Sequence, residues 1–124
     1  MKMSQQTENG LKTFTAGEVL EAYRRVKLSA GSGSQVEYAD SDEACIGITQ
    51  KKAEAIGDMV TLALVTTGRT FKVTANEAMA AGAPIYAGAD GKVQDTDPGA
   101  GTIRGTALEA TTADGDIIEA IMSS

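Results

Sequence analysis

The sequence predicts a mainly β fold, a small barrel or sandwich built from two pseudo-symmetric repeats, each with one short helix. Three observations carry that expectation. The chain repeats itself: Phe14-Thr15-Ala16-Gly17-Glu18 returns as Val73-Thr74-Ala75-Asn76-Glu77, and Gly33, Gly47 and Gly57-Asp58 return 58 residues later as Gly91, Gly105 and Gly115-Asp116. Two copies indicate one pseudo-symmetric unit rather than a long solenoid. Short runs of alternating apolar and polar residues are separated by Gly and Asp, which is the strand-and-turn pattern of small β folds. The composition is 42% hydrophobic but only 4% aromatic, with 14 Gly, which implies an aliphatic core in a tightly turning scaffold.

In chain order, residues 1–13 are polar, lack either period and read as a flexible N-terminal arm. Residues 14–124 read as one β-rich domain, with repeat one at about 14–71 and repeat two at about 72–124. A chain of 124 residues suits a single domain, and each half alone would be marginal, so the halves should share a core. Each repeat opens on Thr-x-x-Glu, Thr15 with Glu18 and Thr74 with Glu77. This spacing predicts a capping box leading into one or two helical turns at residues 19–23 and 78–81.

The period then switches to two. Residues 26–29 and 36–38 alternate around Gly31-Ser32-Gly33-Ser34, and residues 85–87 and 92–94 flank Ala89-Asp90-Gly91. Asp-Gly between strand-like runs is a hairpin signal, because both turn residues must tolerate positive φ. Third strands follow at residues 45–49 and 102–108, and fourth strands enter at Gly-Asp, over 58–66 and 116–122. Residues 69–73 lead from one copy into the next. The run Met59-Val60-Thr61-Leu62-Ala63-Leu64-Val65 is apolar on both faces, so it should be covered twice, by an internal layer or by another subunit.

Charge and reactive groups narrow the function. A formal net charge of −6 disfavours nucleic acid or an anionic membrane as partner, since both recruit fields of Lys and Arg. No apolar run reaches bilayer length and no secretory leader pattern is visible, so synthesis in a reducing cytoplasm is expected. The sequence has no His and a single cysteine, Cys45, in an apolar run; no enzyme, metal or cofactor is expected. Asp40-Ser41-Asp42-Glu43 lacks the Gly and distal Glu of a calcium loop. Asp95 with Asp97, and Asp114 with Asp116, sit beside Gly, where carboxylates cap turns; Gly57-Asp58 reads likewise. Gly88-Ala89-Asp90-Gly91-Lys92 is not a phosphate loop, because Lys92 precedes Val93 in a hairpin rather than Ser or Thr at a helix start.

The stretch from Val73-Thr74-Ala75-Asn76-Glu77 through Ala80-Ala81-Gly82-Ala83-Pro84-Ile85-Tyr86, then Asp90-Gly91-Lys92-Val93 and Ile103-Arg104-Gly105-Thr106-Ala107, resembles the capsid-cement, or head-decoration, proteins of tailed bacteriophages. The resemblance covers residues 14–122 and rests on structural motifs without a catalytic fingerprint. Repeat one departs from it, with Tyr23-Arg24-Arg25 in place of Gly82-Ala83-Pro84 and a Gly-Ser turn in place of Asp-Gly. The resemblance implies a non-enzymatic protein on the outer surface of the virion capsid that clamps neighbouring major capsid subunits, as a trimer in preference to a dimer. On that basis Met3, Leu11 and Phe14 are expected at the capsid contact, and Met59, Thr61, Ala63 and Val65 at an oligomer interface. The alternative function is a small β-barrel module binding a ligand or glycan on a phage or cell-surface appendage. The absence of Trp and the few aromatic platforms disfavour it.

Overall fold

The computed structural model describes residues 9–124, and Met3 falls outside them. Half one contains β1 (Leu11–Ala16), β2 (Arg25–Leu28), β3 (Gln35–Tyr38), β4 (Gly47–Thr49) and β5 (Met59–Leu64). Half two contains β6 (Phe71–Thr74), β7 (Pro84–Ala87), β8 (Val93–Gln94), β9 (Gly105–Ala107) and β10 (Ile117–Met122). The first five strands close into a barrel in the order β1-β3-β2-β4-β5, sealed by antiparallel pairing of β1 with β5. The second five form a sheet in the order β6-β10-β9-β7-β8. Read around a circle, the two orders are the same. They differ at one seam: β1 and β3 pair in parallel at Thr15–Gln35 and Ala16–Val36, whereas β6 and β8 are joined only by the bridge of Ala75 to Val93.

Local contacts repeat with the strand order. Leu20 bridges Ala53, and Met79 bridges Thr111. The Gly-Asp corners agree as well: Asp58 Oδ2 accepts from the amides of Glu54 and Ala55, and Asp116 Oδ2 from those of Thr112 and Ala113. Gly57 and Gly115 both have positive φ, 93° and 96°, which the corner requires and which L side chains resist. The hydrogen bonds from those two amides hold the Asp116 carboxyl below the usual carboxylate range.

The two short helices are not present. Thr15 lies in β1 and Thr74 in β6, so neither hydroxyl starts a helix. The two glutamates instead satisfy distant backbone donors. Glu18 Oε2 accepts from the Tyr38 amide at 3.0 Å, and Glu77 Oε2 accepts from Asp95 and Thr96, both at 3.1 Å. A turn or two of isolated helix carries the nucleation cost with few bonds to offset it, so the acidic side chain serves the strand ends instead. A 3-10 turn, Ala89–Gly91, stands where the Asp-Gly hairpin signal lay, with Asp90 and Gly91 at φ 55° and 72°.

The boundary of the arm also moves. Leu11, Lys12 and Thr13 belong to β1 and pair with Ala63, Leu62 and Thr61 of β5. The polar, aperiodic stretch around them hid a ladder that backbone groups make whatever the side chains are.

Two clusters form the interior. Phe14, Ala16, Leu20, Val26, Val36, Ala53, Val60 and Leu62 fill the closed barrel. The second cluster combines half-two residues, among them Phe71, Val73, Ile85 and Ile118, with Ile48 and Ala63 of half one. Period-two alternation explains the sharing. Val60 and Leu62 point into their own barrel, and Ala63 lies with Ile48 on its outer wall, which half two covers.

Candidate docking surface

The junction of the halves uses most of the charged groups near it. Asp40 Oδ1 accepts from the Asp90 amide at 2.9 Å, and Gly91 N donates to Ala39 O at 3.0 Å. Arg24 Nη1 donates to Asp90 O, and Arg104 Nη2 to Asp42 O, both at 3.0 Å. A side chain at Gly91 would lie 2.5 Å from the Arg25 carbonyl oxygen, so only glycine permits this approach. The run Asp40-Ser41-Asp42-Glu43 is therefore a clasp between the two halves. Arg25 is fully buried, with Nη2 donating to Glu43 O at 2.6 Å. Burial pushes its guanidinium below the ordinary value and pushes the neighbouring Cys45 thiol up, each group partly offsetting the shift of the other.

Lys27 and Glu43 form an ion pair at the edge of this clasp. The hydrogen bond between them raises the Lys27 ammonium and lowers the Glu43 carboxyl. A lowered carboxylate stabilises the fold above its unfolded value and loses that contribution as pH falls through its folded value. A raised ammonium contributes below its unfolded value and loses the contribution as pH rises through its folded one. Lys27→Met should therefore be less stable than the parent near neutrality, with the difference fading toward both extremes. Urea midpoints across a pH series check this, and a difference that persists unchanged into acid removes the pair as its cause.

The residues expected at interfaces separate into different settings. Phe14 is buried in the closed barrel, so it fixes β1 and cannot face a capsid. Leu11 is exposed at the start of β1. On β5, Met59 is 70% exposed, whereas Ala63 is 0% exposed beneath half two. Thr61 and Val65 are half-buried, and Thr61 Oγ1 lies 3.4 Å from Thr13 Oγ1. Of the two covers expected for β5, the internal layer is the one that reaches Ala63. Among the carboxylates beside Gly, Asp97 behaves as a turn group, its Oδ1 accepting from Gly99 and Gly101, as Asp116 does at its corner, whereas Asp114 instead forms an ion pair with Lys92. A hydrogen bond with Glu77 pulls the Asp95 carboxyl up.

Sequence reasoning missed the exposed apolar side chains. Ile56 is 72% exposed at the turn before β5, and Ile117 and Ile121 stand on the outer face of β10. The signal was available in the alternation of residues 117–122, where Ile118, Ala120 and Met122 fill the inner face and leave two isoleucines outside. An open groove of about 750 Å³ runs between the halves, lined by Tyr23 and Gln50 on one side and by Arg69, Lys72, Glu109 and Ile117 on the other. Lys72 sits 5.8 Å from the Tyr23 ring, and Arg69 stacks 4.7 Å from Phe71. Among the described residues, no three His, Cys, Asp or Glu side chains converge as a metal site would require. These surfaces offer broad apolar and charged contacts to a macromolecule.

Comparison with known proteins bears on what that macromolecule is. No curated protein matches the chain. Among solved structures, the head fiber N base of bacteriophage phi29 is similar in fold, with a TM-score of 0.75 over 91% of this chain and 92% of that one, at 22% identity. A family profile described as phage cement protein matches residues 5–122. With nearly the whole chain matched, it belongs to the phage cement protein family.

Proposed function

We propose that this protein binds the outer surface of an assembled phage head and clamps neighbouring major capsid subunits against expansion and shear, acting as a homo-oligomer and specifically a trimer. The observation that carries the reading is the family match over residues 5–122. The exposed apolar side chains Ile56 and Met59, which protrude at one turn of a rigid barrel, support it. The role is structural rather than catalytic, the halves are copies of one unit, and synthesis takes place in the host cytoplasm before the protein joins the virion. Clamping works by avidity: each added contact to the shell becomes intramolecular once the first has formed, so the contacts must fail together.

The N-terminal segment, with Met3 as anchor and Leu11 at its base, makes the shell contact by adding a strand or an apolar plug to a capsid subunit. Ordering about eight residues costs on the order of 10 kcal/mol, so backbone pairing and buried side chains must accompany it. Because β1 begins at Leu11, the test removes residues 1–8 and leaves the barrel whole. The shortened chain is expected to melt like the parent and to lose co-sedimentation with expanded heads. Retained binding would remove the arm from the contact, and failure of the full chain to bind heads would remove the function itself.

A further inference from the structure

The wall by which half one grips half two has a structural counterpart in half two that grips nothing. Across β2, β4 and β5 the outward residues Arg25, Ile48 and Ala63 are cross-strand neighbours, and all three are 0% exposed beneath half two. The same three positions on β7, β9 and β10 are Pro84, Thr106 and Ile121, again cross-strand neighbours. There Pro84 is exposed, Thr106 half-buried and Ile121 51% exposed. Ile103 and Leu108, at the two ends of β9, are exposed as well. At these three positions the free wall carries no charge, whereas the covered one includes an arginine.

We infer that the Pro84, Thr106 and Ile121 wall docks a second copy of this chain, head to tail, repeating between chains the packing that joins the halves within one. This rests on the homo-oligomer of the proposed function and identifies its surfaces. Within the chain, half one's wall meets the seam side of half two, at β6 and the turn Ala89–Gly91. The corresponding side of half one is β1 with the β2–β3 hairpin, where Leu11 and Leu28 are both exposed apolar residues. Since β1 and β3 already pair with each other, the incoming wall packs through side chains and adds no strand. The two patches differ, so the contact is heterologous and the assembly closes only as a ring. Continuity with the existing junction selects a second copy over other occupants: the surface that needs covering is the one the chain itself knows how to cover.

The test replaces Ile121 by Glu in the full chain and measures mass by sedimentation velocity. The expected result is a fall from the oligomeric mass to that of a single chain that keeps the β-sheet circular dichroism of the parent, because Ile121 lies on the outer face of β10 and fills no core. An unchanged mass, or a parent that is monomeric at micromolar concentration, overturns the inference. Chains bearing Ile121→Cys and Leu11→Cys, mixed in equal amounts and oxidised, should form cross-links between unlike variants. Cross-links of Ile121→Cys with itself would indicate a two-fold contact and overturn it, as would oligomers lacking unlike cross-links. Head co-sedimentation of the parent is scored separately: binding by a monomer sinks this inference and the trimer but leaves capsid binding standing, and an oligomer that ignores heads sinks capsid binding alone.

Discussion

Gly105→Ala is expected to cost about 3 kcal/mol or more and to lower the melting temperature by more than about 10 °C. A Cβ at this position would fall inside van der Waals contact with the Ile121 carbonyl oxygen and crowd the backbone of Met122 as well. These are backbone atoms of β10, the strand that pairs with β9 on one side and β6 on the other. Relief therefore requires the sheet to part along its middle rather than one side chain to turn. Against a total stability on the order of 10 kcal/mol for a chain of this size, that is a large fraction. Gly33→Ala is the control, since no atom lies within 4 Å of its added carbon, and it should change stability by less than about 0.5 kcal/mol. Equal melting temperatures for the two variants, followed by circular dichroism, would mean that β9 and β10 do not approach this closely.

Substitution of Ile48 should separate the fates of the halves. Ile48 is on the outer wall of the closed barrel yet 0% exposed, and it belongs to the core cluster of half two. Ile48→Ala is expected to cost about 2 to 5 kcal/mol, from lost burial plus the cavity left behind. Ile48→Asp should go further, because a carboxylate there is desolvated with no partner. The barrel keeps its own cluster, from Phe14 to Leu62, so its protection should survive. Hydrogen exchange should then show amides of β6 to β10 opening well before those of β1 to β5. Uniform loss of protection across all ten strands would mean that the halves have no separable cores.

Much of this architecture was legible in the sequence because its signals are local. Gly57-Asp58 and Gly115-Asp116 are corners for reasons contained within five residues: a positive φ and a carboxylate within reach of two amides. The two-faced run at β5 announced a second cover, and Ala63 found it inside the same chain. What failed depended on distant partners. Thr15 with Glu18 matched a helix start in spacing, but the carboxylate is claimed by Tyr38, 20 residues away. Leu11, Lys12 and Thr13 looked like tail because the β5 backbone that orders them is about 50 residues downstream. Asp40-Ser41-Asp42-Glu43 could be set aside as a calcium loop from its spacing, but its hold on half two is fixed only once both halves are folded. The alternation of residues 117–122 was enough to place Ile121 on an outer face, but that Ala63, at the equivalent position, is covered by the other half is not local information.

The unequal seams give the chain a direction in time. The half that closes on itself is the one a ribosome releases first, and it can wind up while its sibling is still being made. The later half, whose ring stays ajar between β6 and β8, then emerges beside a finished mould bearing Ile48 and Ala63. Swapping the order of the two segments by circular permutation would hand the needier one to the solvent first, and slower, aggregation-prone maturation would follow.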